Sequence, residues 1–212
     1  MISIEHITFQ YPQGSAPVLE DFSAHFERGE IVAVSGKNGC GKTTLSKLMA
    51  GILRPDKGRI CIDDLDIRGL DLFEIGQRLG YVFQNPARQL FCETVYREVA
   101  YGLINLGLKK EAVALKADHY LDYFGLSAYR DDYHGNLSQG EKRRLALAAV
   151  LALGTDYLVL DEPTSGLDMY RRRELGDILG QLRRDMACGI VLISHEADFI
   201  ARYADRELVT AE

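Results

Sequence analysis

"GKNGCGKT", Gly36 to Thr43, is a glycine-rich loop that ends on a lysine and a threonine. It fits the spacing G-x-x-x-x-G-K-[ST], in which glycines let the backbone wrap closely around phosphate groups. In such a loop the N–H groups from Asn38 to Thr44 point inward at the anion, and Lys37, Gly39, Cys40 and Gly41 belong to the same cradle. Lys42 brings a cation to the β and γ phosphates, and the Thr43 hydroxyl can ligate Mg²⁺. Cys40 fills a free position of the pattern and could make the loop sensitive to thiol reagents. The pattern carries meaning only between a strand and a helix, and both are legible. "EIVAVS" before it is a short apolar run rich in β-branched residues, consistent with a buried strand. After it, Leu45, Leu48, Met49, Ile52 and Leu53 recur on one helical face, with Gly51 and Pro55 bracketing the end.

Similar texture extends to both sides. "ISIEHITFQY" alternates apolar and polar residues as a strand does, and "FSAHFE" is a second strand. "GRICIDD" and "LGYVFQ" read as two more. From Pro86 to about His134 the period changes. Val95, Val99, Leu103 and Leu106 fall at helical spacing, as do Val113, Ala117, Tyr120, Leu121 and Phe124. This predicts a helical subdomain, 86–134, inserted into a core made of 1–85 and 135–212. The β-rich texture then returns. "YLVLDEP" and "GIVLIS" are strands; Asp168 to about Met186 and Glu196 to Tyr203 are helices. Alternating strands and helices imply an α/β fold with a mostly parallel sheet covered on both faces.

The 212 residues are enough for one large domain with a real core. A net charge of −6 argues against a partner held by bulk electrostatics, and no nucleic acid is expected. Cys40, Cys61, Cys92 and Cys188 are scattered without a C-x-x-C pair, as reduced thiols of a cytosolic protein would be. "MISIEHITFQYP" has neither the basic nor the apolar region of a signal peptide. The longest apolar stretch, near "LALAAVLALG", is about half the length of a membrane span. Any membrane connection is therefore expected to run through a partner. His6, His25, His119 and His134 lack metal-ligand spacing, and "DDLD" at Asp63–Asp66 reads as a solvated turn.

"YLVLDEPTSGLD" places Asp161 and Glu162 at the end of an apolar strand, where parallel sheets put their ligands. Adjacent strand residues point to opposite sides, so the two acids need not share a task. Asp161 suits Mg²⁺, and Glu162 suits polarising an attacking water. A second anion-binding candidate lies in "NLSQGEKRRLALAAVLA", Asn136 to Ala152. Ser138 and Glu141 there form the S-x-x-E of a capping box at a helix start.

Taken together, Gly36–Thr43, Gln84, Leu137–Glu141, Asp161–Glu162, Ser165–Asp168 and His195 resemble an ATP-binding cassette (ABC) ATPase in order and approximate spacing. The resemblance covers the chain from Ile4 to about Val209. It implies a P-loop NTPase fold: a mostly parallel core sheet with flanking helices, an N-terminal antiparallel β subdomain and an inserted α-helical subdomain. It also implies ATP and Mg²⁺ as cofactors. Tyr11 is similar to the aromatic that stacks on adenine. Gln84, after "YVF", resembles the glutamine that reaches the metal and the attacking water. Glu162 resembles the catalytic glutamate, Asp168 the aspartate of the D-loop, and His195 the switch histidine at the γ-phosphate. Leu137, Ser138, Gln139, Gly140 and Glu141 resemble the signature motif. In that family the signature closes over the nucleotide of a second ATPase domain packed head to tail. The common signature has Gly at the position of Gln139 and Gln at that of Glu141. The extra carboxylate is tolerable if it turns back to the cap N–H.

"VFQNPARQLFCETVYREVAYG" resembles the matching segment of the ATPases of energy-coupling factor (ECF) transporters, importers of vitamins and of cobalt or nickel. Asn85, Pro86, Gln89, Leu90, Phe91, Val95, Glu98 and Gly102 carry that likeness. It implies that about 84–102 faces a membrane-embedded coupling subunit, and that the protein sits peripherally at the cytoplasmic face of the cell membrane. It further implies a second ATPase subunit as partner, either a copy or a relative. Many ECF ATPases carry a C-terminal extension that aids dimerisation; this chain stops soon after "YADRELV", so dimerisation is expected to depend mostly on ATP. The alternatives are an ATPase of another ABC transporter class, a soluble ABC-type ATPase acting on nucleic acid or ribosomes, and a nucleotide sensor without turnover. A single cassette, an ordinary subdomain length and the acidic balance weigh against the second. Glu162 and His195 weigh against the third.

Overall fold

The structure, a computed structural model, describes residues 1–12, 16–37 and 39–210. In chain order its elements are β1 (Ile2–Phe9), β2 (Leu19–Phe26), β3 (Ile31–Ser35), α1 (Lys42–Met49), β4 (Lys57–Ile62), β5 (Leu65–Asp66), α2 (Leu72–Gly76), β6 (Leu79–Val82), α3 (Val95–Asn105), α4 (Lys110–Tyr123), α5 (Gln139–Leu151), β7 (Tyr157–Asp161), α6 (Met169–Met186), β8 (Gly189–Ile193), α7 (Ala197–Tyr203) and β9 (Arg206–Val209). Two compact units divide the chain: Met1–Tyr81 with Asp156–Glu212, and Val82–Thr155.

The first unit holds two sheets. One is antiparallel, in the order β2-β1-β4-β5; the other has the order β6-β7-β8-β3-β9. In the second sheet β7 with β8, β8 with β3, and β3 with β9 all run parallel. β3, β7 and β8 are buried along their whole length, which is why they read as continuous apolar runs. β1 instead alternates, but its phase changes midway. Ile2 and Ile4 are buried, then Ile7 and Phe9. A bulge at His6, with φ +50°, shifts the register and returns the alternation to the core face. These side chains join Phe26, Leu45, Leu48, Met49, Ile60, Ile62 and Tyr157 in one core.

Three short elements, β5, α2 and β9, have no counterpart in the sequence reading, because two to five residues carry too little periodicity. The helix after the glycine loop is shorter than its apolar pattern. It ends at Met49, because Gly51 turns the backbone to φ +69°, and Ile52 is left exposed. "DDLD" is a turn at Asp63 and Asp64, with Asp64 and Leu65 exposed as expected, but Asp63 is anchored. The Asp63 carboxylate accepts from Arg28 at 2.7 Å and from the Tyr157 hydroxyl at 3.1 Å.

In the second unit, Val95, Val99 and Leu103 of α3 and Val113, Ala117 and Leu121 of α4 are buried. α5 packs on both helices, so it belongs to this unit, which runs to Thr155 rather than ending near His134. Just past α5, the Leu153 side chain packs onto Gly102, where a Cβ would lie 2.5 Å from Leu153 Cδ2. Among the described residues no helix is long and apolar enough to cross a membrane.

Candidate active site

Three neighbouring strands of the parallel sheet, β7, β8 and β3, end together. β3 runs into the glycine loop, β7 ends on Asp161 with Glu162 the next residue, and β8 leads into Ser194 and His195. The sheet thus brings the loop, the acids and the histidine to the carboxyl edge, where ligands of such sheets bind.

The loop is tightly shaped. Gly36 has φ +145°, and a Cβ there would come within 2.6 Å of Thr210 Oγ1 and 2.7 Å of Cys40 Sγ. Gly41, at φ +92°, is the N-cap of α1, so the first amides of that helix open onto the loop. Lys42 is buried, and its ammonium donates to the carbonyl oxygens of Gly36 and Lys37, each at 2.8 Å. The cation is therefore held inside the loop that Gly39 and Cys40 complete. Asn38 lies outside the described residues. Tyr11 stands beside the first turn of α1, with its hydroxyl 3.2 Å from Thr44 Oγ1 and its ring edge-on to Phe9.

Asp161 receives two hydroxyls. Thr43 Oγ1 donates to Oδ1 at 3.3 Å and Tyr81 to Oδ2 at 3.1 Å. The Ser46 hydroxyl is 3.0 Å from that of Tyr81. Burial pushes the Asp161 carboxyl above its usual range, against the pull of Tyr81 and Thr43. Burial also raises the Tyr81 phenol, which therefore stays protonated and donating. A buried carboxylate beside a threonine hydroxyl fits Mg²⁺, which takes few protein oxygens and completes its shell with water and substrate phosphate. Tyr81 escaped the sequence reading; inside "LGYV" nothing marks it as a partner of a carboxylate 80 residues away.

Glu162 has φ +46°, a left-handed conformation rare outside glycine and costing about 1–3 kcal/mol. Its N–H donates to Ile193 O at 2.9 Å, tying the end of β7 to the end of β8. Glu162 Oε2 lies 2.8 Å from His195 Nδ1, but off the line of a hydrogen bond, so this buried oxygen has no aligned donor among the described residues. The glutamate side chain is 15% exposed and the histidine 54%, so the pair has a dry end and a wet end. A carboxylate so placed can accept a proton from water. Asp168 caps α6 by accepting from the Arg171 N–H at 2.8 Å. Arg172, also missed in the sequence, joins Leu167 O at 2.9 Å to the Glu196 carboxylate at 2.6 Å.

Gln84 and the signature-like residues belong to the second unit. Leu137 is buried. Ser138 and Glu141 make the reciprocal capping box: Ser138 N–H donates to Glu141 Oε2 at 2.7 Å, and Glu141 N–H to Ser138 Oγ at 3.3 Å. The extra carboxylate has turned back to the cap. Ser138 and the Tyr129 hydroxyl hold it below the usual carboxylate range. Gln139 and Gly140 form the first turn of α5, and space around Gly140 is open.

In 84–102 the Asn85 side chain accepts from the Ala87 N–H at 3.1 Å. Glu98 is buried and accepts from the N–H groups of Phe91 at 3.0 Å and Cys92 at 2.7 Å. Burial, then Glu98, pushes the Cys92 thiol up to about 11. Glu98 therefore holds a turn, while the Phe91 and Tyr101 rings stand exposed, edge to face, with centroids 4.9 Å apart.

The family described as ABC transporter matches residues 19–165. An ABC transporter ATP-binding protein of Methanosarcina acetivorans is 40% identical over 98% of this chain and 34% of its own length. The energy-coupling factor transporter ATP-binding protein EcfA of Methanothermobacter thermautotrophicus is 40% identical over 99% of this chain and 67% of its own. Among solved structures, cbiO1 from Clostridium perfringens, part of the ABC transporter complex cbiONQ, superposes with a TM-score of 0.90 at 32% identity. That match covers 98% of this chain and 83% of the other. The chain thus spans about a third of the first relative and two thirds of the second.

Proposed function

We propose that this chain, which belongs to the ABC transporter family of ATP-binding domains, powers an ECF-type importer of a vitamin or a transition-metal ion. The family is one of ATPases coupled to transport, and its domain binds ATP. For the finer reading the carrying observation is the exposed Phe91–Tyr101 pair, standing in the segment whose sequence is ECF-like. Likeness to EcfA supports it.

In this reading the loop amides and Lys42 bind the phosphates of ATP, and Tyr11 stacks on adenine. Thr43, Asp161 and Gln84 hold Mg²⁺, which supplies neutralisation of charge developing on the phosphate oxygens. Glu162 takes the proton of the attacking water, and His195 steadies that carboxylate and reaches the γ-phosphate. Leu137, Ser138, Gln139, Gly140, Glu141 and Asp168 serve the ATP of a second ATPase subunit, a copy or a relative. Residues 84–102 meet a membrane-embedded coupling subunit, which keeps the chain at the cytoplasmic face of the membrane.

Co-purification from membranes tests the reading. Wild-type chain should bring down a membrane-embedded subunit together with a bound small ligand. Phe91→Asp/Tyr101→Glu should not. Equal recovery with both chains would remove the ECF assignment and leave an ABC ATPase of another transporter class.

A further inference from the structure

β9 lies parallel beside β3, with Val209 opposite Ser35. Ser35 is the residue that leads into the phosphate loop, and β9 holds it from two sides. The Glu207 carboxylate accepts from the Ser35 hydroxyl. Thr210, buried just past the strand, donates its N–H to Ser35 O at 2.9 Å and its hydroxyl to the same oxygen at 3.0 Å.

The Thr210 hydroxyl also lies 2.8 Å from Cys40 Sγ. A hydroxyl has one proton to give, and here Ser35 O takes it. The thiol must then donate to the threonine oxygen. A relay runs from Cys40 S–H through Thr210 O–H to Ser35 C=O, joining residues 170 apart to the loop entrance. Gly36 sits inside this relay: a Cβ on it would lie 2.6 Å from Thr210 Oγ1, 2.7 Å from Cys40 Sγ and 3.1 Å from Thr210 O. A glycine-rich loop is otherwise free to adopt many shapes, and that freedom must be lost when it closes on phosphate.

We propose that Thr210 is a positioning residue for nucleotide binding, its hydroxyl fixing the curvature of the phosphate loop through Cys40 and Ser35. This rests on the reading of that loop as the ATP site. The relay touches no reacting atom. It shapes amides that grip the phosphates equally before and during the reaction, so its loss changes binding rather than turnover.

The test is steady-state ATPase and direct ATP titration on the whole chain. Lys42→Ala, which should abolish ATP binding, checks the loop itself. Thr210→Val removes the hydroxyl and keeps the shape. It should raise KM and Kd for ATP by about five- to tenfold, the scale of one hydrogen bond, with kcat within about twofold of wild type. Thr210→Ser should restore both constants. Cys40→Ala should raise KM similarly, and the double variant Cys40→Ala/Thr210→Val should be no worse than the worse single one, because both break one relay. Unchanged KM in Thr210→Val, a fall in kcat alone, or no rescue by Thr210→Ser would overturn the proposal. If Thr210→Val does not fold, Cys40→Ala decides: wild-type KM there would overturn it too.

Discussion

His195 Nδ1 stands 2.8 Å from Glu162 Oε2, and Glu162 itself holds a left-handed backbone φ of +46°. Strain of this kind persists where surrounding structure enforces it. Here the enforcing contact is the Glu162 N–H on Ile193 O.

Glu162→Gln should therefore keep ATP affinity but hydrolyse at least ~100-fold more slowly, the scale of a positioned general base. Lys42→Ala should lose affinity instead. Turnover of the glutamine variant within a few-fold of wild type would remove Glu162 from the chemistry.

The open space at Gly140 and the cap at Ser138 make a separate prediction. Glu162→Gln with MgATP should accumulate as a dimer by light scattering, alone or with a second ATPase subunit. Ser138→Arg should stay monomeric yet bind one ATP per chain, because the glycine loop is untouched. A Glu162→Gln chain that fails to dimerise in either setting would leave Ser138 as a helix cap and nothing more.

Glu98 and Phe91 should behave differently although both belong to the ECF-like segment. Glu98→Gln weakens the acceptor for the Phe91 and Cys92 N–H groups and should lower the thermal midpoint. Phe91→Asp should leave the midpoint near wild type and lower the substrate transported per ATP consumed. A thermal loss from Phe91→Asp as large as that from Glu98→Gln would make the exposed ring part of the fold.

Glu141 sets a pH dependence. Ser138, then Tyr129, holds its folded carboxyl below the usual value of about 4.3. A depressed folded value means that the stabilisation is fully present above the unfolded value. It is lost as pH falls through the folded one. The gap in unfolding midpoint between wild type and Glu141→Ala should be flat near neutrality and shrink below about pH 4. A gap constant through the acid range would mean that the carboxylate makes no such bond.

The capping box shows what local sequence suffices to determine. Ser138 and Glu141 are three residues apart, so helix geometry alone lets each reach the other's N–H. The glycine loop, the buried runs of β3, β7 and β8 and the helical spacing of α3 and α4 were legible for the same reason, since each signal is complete within a short window. Family resemblance, too, reads short motifs in order.

Tertiary structure decided what depends on residues far apart. Tyr81 and Thr43 meet on Asp161 across 80 and 118 residues, and only the order of the strands and the helix that follows β3 places them there. The same sheet carries Thr210 to Cys40 across 170. The bulge at His6, the anchoring of Asp63 by Arg28 and Tyr157, and the membership of α5 in the second unit depend likewise on partners supplied by other elements. A polar side chain carries no mark of its future partner. The buried position that makes the bond worth forming exists only once the strands have aligned.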